Sequence, residues 1–245
     1  MIMNLKSVFF LLVGNIALLQ AQTSDTCRTV KAIDIAIPAA MITYGIISIE
    51  SDALRKWDYS IRNELVENNY LWRNGWDDYF QFSPAALAFG MKLGGMESKH
   101  QLPDMCILYA LSNALELGVV VTTKKLTGRK RPDDSNSFSF PSGHTATAFV
   151  AAEFLHQEYG DKSAWISAAG YGMATLIGVS RVFRNKHWLS DVVAGAGVGI
   201  LSTKIAYRIY PSIKKPFVKK DRKHQTFICP TYNNGSLGVT FSCVF

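Results

Sequence analysis

Six apolar stretches, separated by polar segments, limit what this 245-residue chain can fold into. They are Ala32–Ile49, Ser83–Met96, Met105–Thr123, Ala146–Leu155, Ala164–Ser180 and Leu189–Ala206. The first has Asp34 as its only charge, the second a single lysine, and Ala164–Ser180 none at all. Strand signals stay weak until the C-terminus, so the runs predict an all-α body, a bundle of about six apolar helices. Most are shorter than the roughly 20 residues that a membrane crossing requires. Flanking residues must extend them, or part of the bundle lies outside lipid. "AGAGVG" at Ala194–Gly199 in the last run permits close helix–helix approach.

Composition leaves two classes open. Charged residues are 18% of the chain, against roughly 25% in soluble domains, and apolar residues are 48%. A mean hydropathy of +0.08 is low for a chain held wholly in lipid. Membrane embedding is the expectation, with a helical globular protein as the alternative. A formal charge of +7 points to an anionic partner such as phosphate or lipid headgroups. Nucleic acid fits poorly, because the chain has no zinc-ligand spacing, RNA-binding motif or basic aromatic stripe.

The N-terminus reads as an export signal over residues 1–21: Lys6, then "SVFFLLVGNIALL", then Ala21 as a small residue for cleavage. An uncleaved first helix is the alternative; both direct the chain to a bacterial-type inner membrane. Of Cys27, Cys106, Cys229 and Cys243, Cys106 sits in an apolar run and is expected to be buried as a small hydrophobe. A bridge from Cys27 to Cys229 or to Cys243 is compatible with export. Between Ser51 and Tyr79, aromatic residues with interspersed charge suit an interfacial helix or loop, or an amphipathic helix packed on the domain. The bundle domain is placed at 28–210. A basic linker and a β-prone tail, read as a short hairpin, fill 211–245.

Three clusters carry chemistry. Lys124 is followed after six residues by Arg131-Pro132, in a segment with five cations and two aspartates from Lys124 to Asp134. Lysine supplies a point charge, and an arginine fork grips two oxygens of one phosphate. Pro141-Ser142-Gly143-His144 opens a helical run, where backbone N–H groups favour an anion and glycine lets it come close. Ser180-Arg181 precedes His187, and Asp191 follows four residues later. If both are helical, that carboxylate can accept the imidazole's second N–H.

In this order and spacing, the three clusters resemble the type 2 phosphatidic acid phosphatase and vanadium haloperoxidase superfamily, over roughly Asp77 to Arg208. The resemblance implies that His187 attacks phosphorus to form a phosphohistidine and that Asp191 orients it. His144 then protonates the leaving oxygen and later activates water. Lys124, Arg131, Ser142, Gly143 and Arg181 hold the phosphoryl oxygens, with no metal or other cofactor. Phosphoryl transfer needs chiefly positioning and charge neutralisation, which this cation set can supply.

The expected function is hydrolysis of a phosphate monoester or diphosphate on an envelope lipid: lipid A, phosphatidic acid, phosphatidylglycerol phosphate or undecaprenyl diphosphate, with a lean towards lipid A. The partners are then a phosphorylated lipid and the membrane, with the site facing the periplasm. That orientation conflicts with three full crossings before Lys124 after a cleaved signal; it is recovered if Ala32–Ile49 lies in or on the bilayer without crossing. A soluble periplasmic acid phosphatase of broad specificity is the alternative enzyme, and a vanadate-dependent haloperoxidase ranks below it. A catalytically inactive lipid-binding protein should have lost a motif residue, and none is missing.

Overall fold

In the computed structural model the described residues are 32–66, 75–215, 225–233 and 236–244. The signal-like run, Cys27 with its expected bridge, and residues 216–224 of the basic linker lie outside them. The helices are α1 (Ala32–Glu50), α2 (Asp52–Val66), α3 (Asp77–Phe80), α4 (Ser83–Leu93), α5 (Leu102–Thr127), α6 (Gly143–Tyr159), α7 (Ala164–Phe183) and α8 (Leu189–Lys214). Every apolar run falls within or largely within one of them. The count among the described residues is nevertheless eight, not about six. The additional pair, α2 and α3, comes from the aromatic and charged segment, where a polar helix leaves no apolar run to count.

The chain forms two units, one through Ala206 and one from Tyr207 onward. In the second, β1 (Gln225–Asn233) and β2 (Ser236–Val244) pair antiparallel, with Gln225 opposite Val244 and Asn233 opposite Ser236.

In the first unit α6 is the central helix, with eleven of its seventeen residues buried. Its small residues explain this. Ala148 and Ala152 pack on Ala174 and Ile177 of α7, while Ala146 meets Val120 of α5 and Val198 of α8. The Tyr159 hydroxyl donates to the Ala88 carbonyl of α4 at 3.1 Å. The glycines of α8 bring that helix against backbone. A Cβ on Gly195 would lie 2.6 Å from the Ser142 carbonyl oxygen, and one on Gly199 would strike the Ala146 carbonyl oxygen. On the opposite face, a Cβ on Gly197 would lie 2.7 Å from the Pro38 carbonyl oxygen of α1.

Helices α5, α7 and α8 are long and apolar enough to cross a membrane. A fourth crossing is reached if α1 and α2, bent by 96° at Ser51, count as one broken span. At about 16 Å, α4 is too short to span hydrocarbon roughly 30 Å thick. The outward faces are apolar, as lipid contact requires: α5 exposes Ile107, Leu117 and Val121, and α7 exposes Trp165 and Leu176. Cys106 lies on α5 and is exposed, which corrects the expectation of burial. In a membrane helix an apolar neighbourhood in sequence can face lipid as well as core.

Candidate active site

The antiparallel run of α5, α6, α7 and α8 brings two helix ends and two helix starts to one end of the bundle. Lys124 lies in the last turn of α5, His144 in the first turn of α6, Arg181 in the last turn of α7, and Asp191 in the first turn of α8. Gly128 ends α5 in the left-handed conformation (φ 55°), the backbone that glycine adopts at lowest cost. The following loop folds back on itself through Arg131 N–H to Asn136 O and Ser139 N–H to Arg129 O, both 3.0 Å. Ser142 N–H then donates to the Asp191 carbonyl at 3.0 Å, joining the start of α6 to that of α8. Gly195, one turn into α8, keeps that contact close.

His187 lies in the connection between α7 and α8 and is 2% exposed. Burial is the largest influence on it and lowers its pKa from 6.5 to about 4, with Asp191 opposing and Lys124 and Arg181 reinforcing the shift. The imidazole is therefore neutral above about pH 4. Its Nδ1 stands 3.7 Å from Asp191 Oδ2 and has no hydrogen-bond partner among the described residues. The hydrogen bond expected from the four-residue spacing is thus not formed here. That spacing argument needs both residues helical, and His187 precedes the helix. Asp191 instead caps its own helix by accepting from Trp188 N–H at 3.0 Å. It also accepts from the Ser139 hydroxyl, and from Arg129 Nη1 at 2.6 Å.

The short helix α3 braces the other half of the site. Asp77, fully buried, accepts from Arg181 Nη1 at 2.6 Å on one oxygen and from Arg184 on the other. Burial pushes the Asp77 carboxyl upward, but hydrogen bonding and charge from the two arginines overcome it, and its pKa lies below the ordinary value. Asp78 Oδ1 lies 2.7 Å from His144 Nε2. The pKa of His144 falls below 6.5 because burial, then Arg181, outweigh the upward pull of Asp78.

These shifts set a pH profile. In the roles that the sequence resemblance implies, His187 as nucleophile must be deprotonated and His144 as general acid protonated; activity should then rise through about pH 4 with His187 and fall as pH climbs through the His144 pKa, below 6.5. Asp78→Asn removes an upward influence on His144. The alkaline limb of kcat should therefore move to lower pH, and the acid limb should stay in place. A pH–rate profile in which neither limb moves would exclude the coupling.

Lys124, Arg131, His144, Arg181, His187 and Asp191 share one electrostatic neighbourhood: Lys124 and Arg181 act on His187, Arg181 on His144, and Arg181 and Asp191 on Arg131. Lys124 Nζ is 2.7 Å from the Phe138 carbonyl, and the buried Arg131 Nε has no hydrogen-bond partner among the described residues. Ser142 is buried with its hydroxyl 2.9 Å from that of Thr145. A Cβ at Gly143 would meet only Val120, at 3.7 Å, so packing does not demand glycine there. Among the described residues no group of three or more His, Cys, Asp or Glu side chains is placed to hold a metal ion. The site's capacity is for anions.

Sequence reasoning did not single out Arg129, Asp58, Asp77 or Asp78. Arg129 bridges Asp191 and, at 2.8 Å, Asp58 on α2. The available signal was an aspartate inside an aromatic context, "KWDYS" and "GWDDYF", where a carboxylate needs a buried partner.

Fold and site together define a class: an all-α bundle with three candidate membrane spans and, at one end, a cationic pocket holding two histidines. Residues 105–215 match the sequence profile of the PAP2 superfamily. It is similar to a lipid A 1-phosphatase of Porphyromonas gingivalis, 42% identical over 54% of this chain and 30% of the relative. It is also similar to a non-specific acid phosphatase of Salmonella typhi, 34% identical over 36% of this chain and 35% of the relative. The chain thus spans about a third of the length of these curated relatives. A crystal structure of a transmembrane PAP2-type phosphatidylglycerolphosphate phosphatase from Bacillus subtilis shares the fold, with a TM-score of 0.50 at 21% identity, covering 76% of this chain and 99% of that one.

Proposed function

We propose that this protein is a phosphatase that hydrolyses a phosphate ester or diphosphate on a membrane lipid through a phosphohistidine. The observation that carries this reading is the meeting of a neutral, buried His187 with His144 and three cations at one end of an apolar bundle. His187 Nε2 attacks phosphorus while the bond from phosphorus to the leaving oxygen breaks, and His144 gives its proton to that oxygen. Water then attacks the phosphohistidine, His144 takes the water's proton, and the N–P bond breaks to release phosphate. Lys124, Arg131, Arg181, the Ser142 hydroxyl and the Gly143 N–H hold the phosphoryl oxygens throughout. Positive charge that grows on the imidazole draws Nδ1–H towards Asp191, closing the 3.7 Å gap.

Lipid A is the favoured substrate, on the likeness to the Porphyromonas gingivalis enzyme. We further propose that the site faces the periplasm. The export-signal-like N-terminus supports this orientation, since it directs the chain to or across the inner membrane. A broad-specificity acid phosphatase is the second reading, favoured by the likeness to the Salmonella typhi enzyme.

One experiment separates them: phosphate release by the purified chain, in a strong chelator, from lipid A, phosphatidic acid, phosphatidylglycerol phosphate, undecaprenyl diphosphate and a soluble aryl phosphate. Release from one lipid far above the aryl ester is expected. Preference for the aryl ester would move the assignment to the second reading, and a loss restored only by magnesium would end the metal-free mechanism. Intact spheroplasts should hydrolyse a membrane-impermeant aryl phosphate, and activity only after lysis would reverse the orientation.

A further inference from the structure

Beside the phosphoryl site lies a cavity of about 320 Å³ that the mechanism above uses only through Arg131. Arg55 and Arg62 of α2 line one side, Arg129, Lys130 and Arg131 of the loop line another, and Trp188 completes it. Ile49, Tyr59 and Pro132 also line it, but five cations against one aspartate favour an anion over an acyl chain. Its charge is also largely uncommitted. Arg129 is neutralised by Asp58 and Asp191, but among the described residues Arg62 is held through Nε alone, by Asn185 Oδ1 at 2.9 Å. Lys130 forms no ion pair among the described residues, and Arg131 leaves its buried Nε unpartnered there. Asp134 is the one acidic residue of the lining; Asp52 lies 3.6 Å from Arg55 on an exposed face, and Asp133 and Asp191 act on Arg131 from outside the lining. Arginine forks disposed in this way match the oxygens of a phosphate.

The cavity and the phosphoryl site share residues. Arg131 belongs to both, Trp188 adjoins His187, and Arg129 in the cavity wall grips Asp191. We propose that the cavity binds a second phosphate, carried by the same substrate molecule as the phosphate that is cleaved. The substrate class is then a lipid whose head group bears two phosphates on a polar linker, the linker occupying the volume that one phosphate leaves empty. This rests on the phosphatase reading and narrows it: lipids with one phosphate are the poorer substrates.

Alkane bisphosphonates of increasing spacer length, which cannot be hydrolysed, test this by calorimetry against the matching monophosphonate in detergent. The wild type should bind one spacer length on the order of tenfold or more tightly than the monophosphonate, the worth of a charge-assisted contact. Arg55→Gln with Lys130→Gln should abolish that gain; both side chains are exposed, so the fold does not depend on them. The same double variant should lose turnover of a two-phosphate lipid relative to phosphatidic acid by a similar factor. No gain at any spacer length, or a gain that survives the double variant, overturns the proposal. Binding of two separate monophosphonates without a linked gain does so too, by identifying a site for free anions. Failure of the phosphatase reading would appear elsewhere, as no phosphate release from any lipid, while the binding arm reports on the cavity either way.

Discussion

Replacing His187 by alanine should lower phosphate release on the order of 10⁵-fold or more, the scale on which removing a covalent nucleophile acts. Its surroundings support that size of effect. The ring is buried, burial keeps it unprotonated above about pH 4, and Nδ1 faces Asp191, leaving Nε2 for phosphorus. Alanine removes the lone pair and leaves water as the only nucleophile in a pocket that still binds phosphate. Tightness of phosphate or vanadate binding should therefore change much less than kcat. Acid quench of the wild type during turnover should trap an acid-labile phosphoprotein that the variant does not form. Turnover by His187→Ala within tenfold of wild type would exclude the nucleophile assignment, and equal loss of binding and turnover would recast His187 as a structural residue.

The spacing of cations and histidines makes the site's inner ring legible in the sequence, because those residues sit next to helix ends that apolar runs mark clearly. Lys124, His144, Arg181 and His187 all stand where an apolar run meets polar sequence, and the fold brings them to one end. What holds the ring is not legible there. Asp77 and Asp58 act across separations of 104 and 132 residues, on Arg181 and Ser190, and no local period encodes such a contact. The hydrogen bond expected between Asp191 and His187 is stretched to 3.7 Å for a local reason, since the four-residue rule presumes that both residues are helical and the helix begins two residues after His187. Helix α2 escapes the apolar count because it lies across the end of the bundle, where Asp58 enters the site while Trp57 stays exposed.

Arg129→Ala should be the most destabilising single change near the site, although Arg129 lies outside the motif that first marked this segment. Its guanidinium donates to Asp58 at 2.8 Å, to Asp191 at 2.6 Å and to Ser190 Oγ at 2.8 Å, and it lies 5.6 Å from the Trp188 ring centre. Both carboxylates are at most 2% exposed. Removing one partner of a buried pair costs about 3–5 kcal/mol, because the remaining charge is left without compensation; here a single deletion strands two. The loss should appear as a lower unfolding midpoint in detergent. Turnover should fall as well, since Asp191 and Trp188 flank His187. Arg129→Lys should recover part of the stability and little of the turnover, because one ammonium cannot reproduce a fork that spans two carboxylates. Asp58→Asn in the Arg129→Ala background should restore stability relative to Arg129→Ala alone, as one stranded charge is removed. If Arg129→Ala unfolds within about 0.5 kcal/mol of wild type, the range of ordinary surface substitutions, the bridge is not what holds α2 and α8 at the site. The anchoring would then fall to Ser190 N–H on Asp58 at 3.1 Å and to the Tyr59–Trp188 edge contact at 4.8 Å.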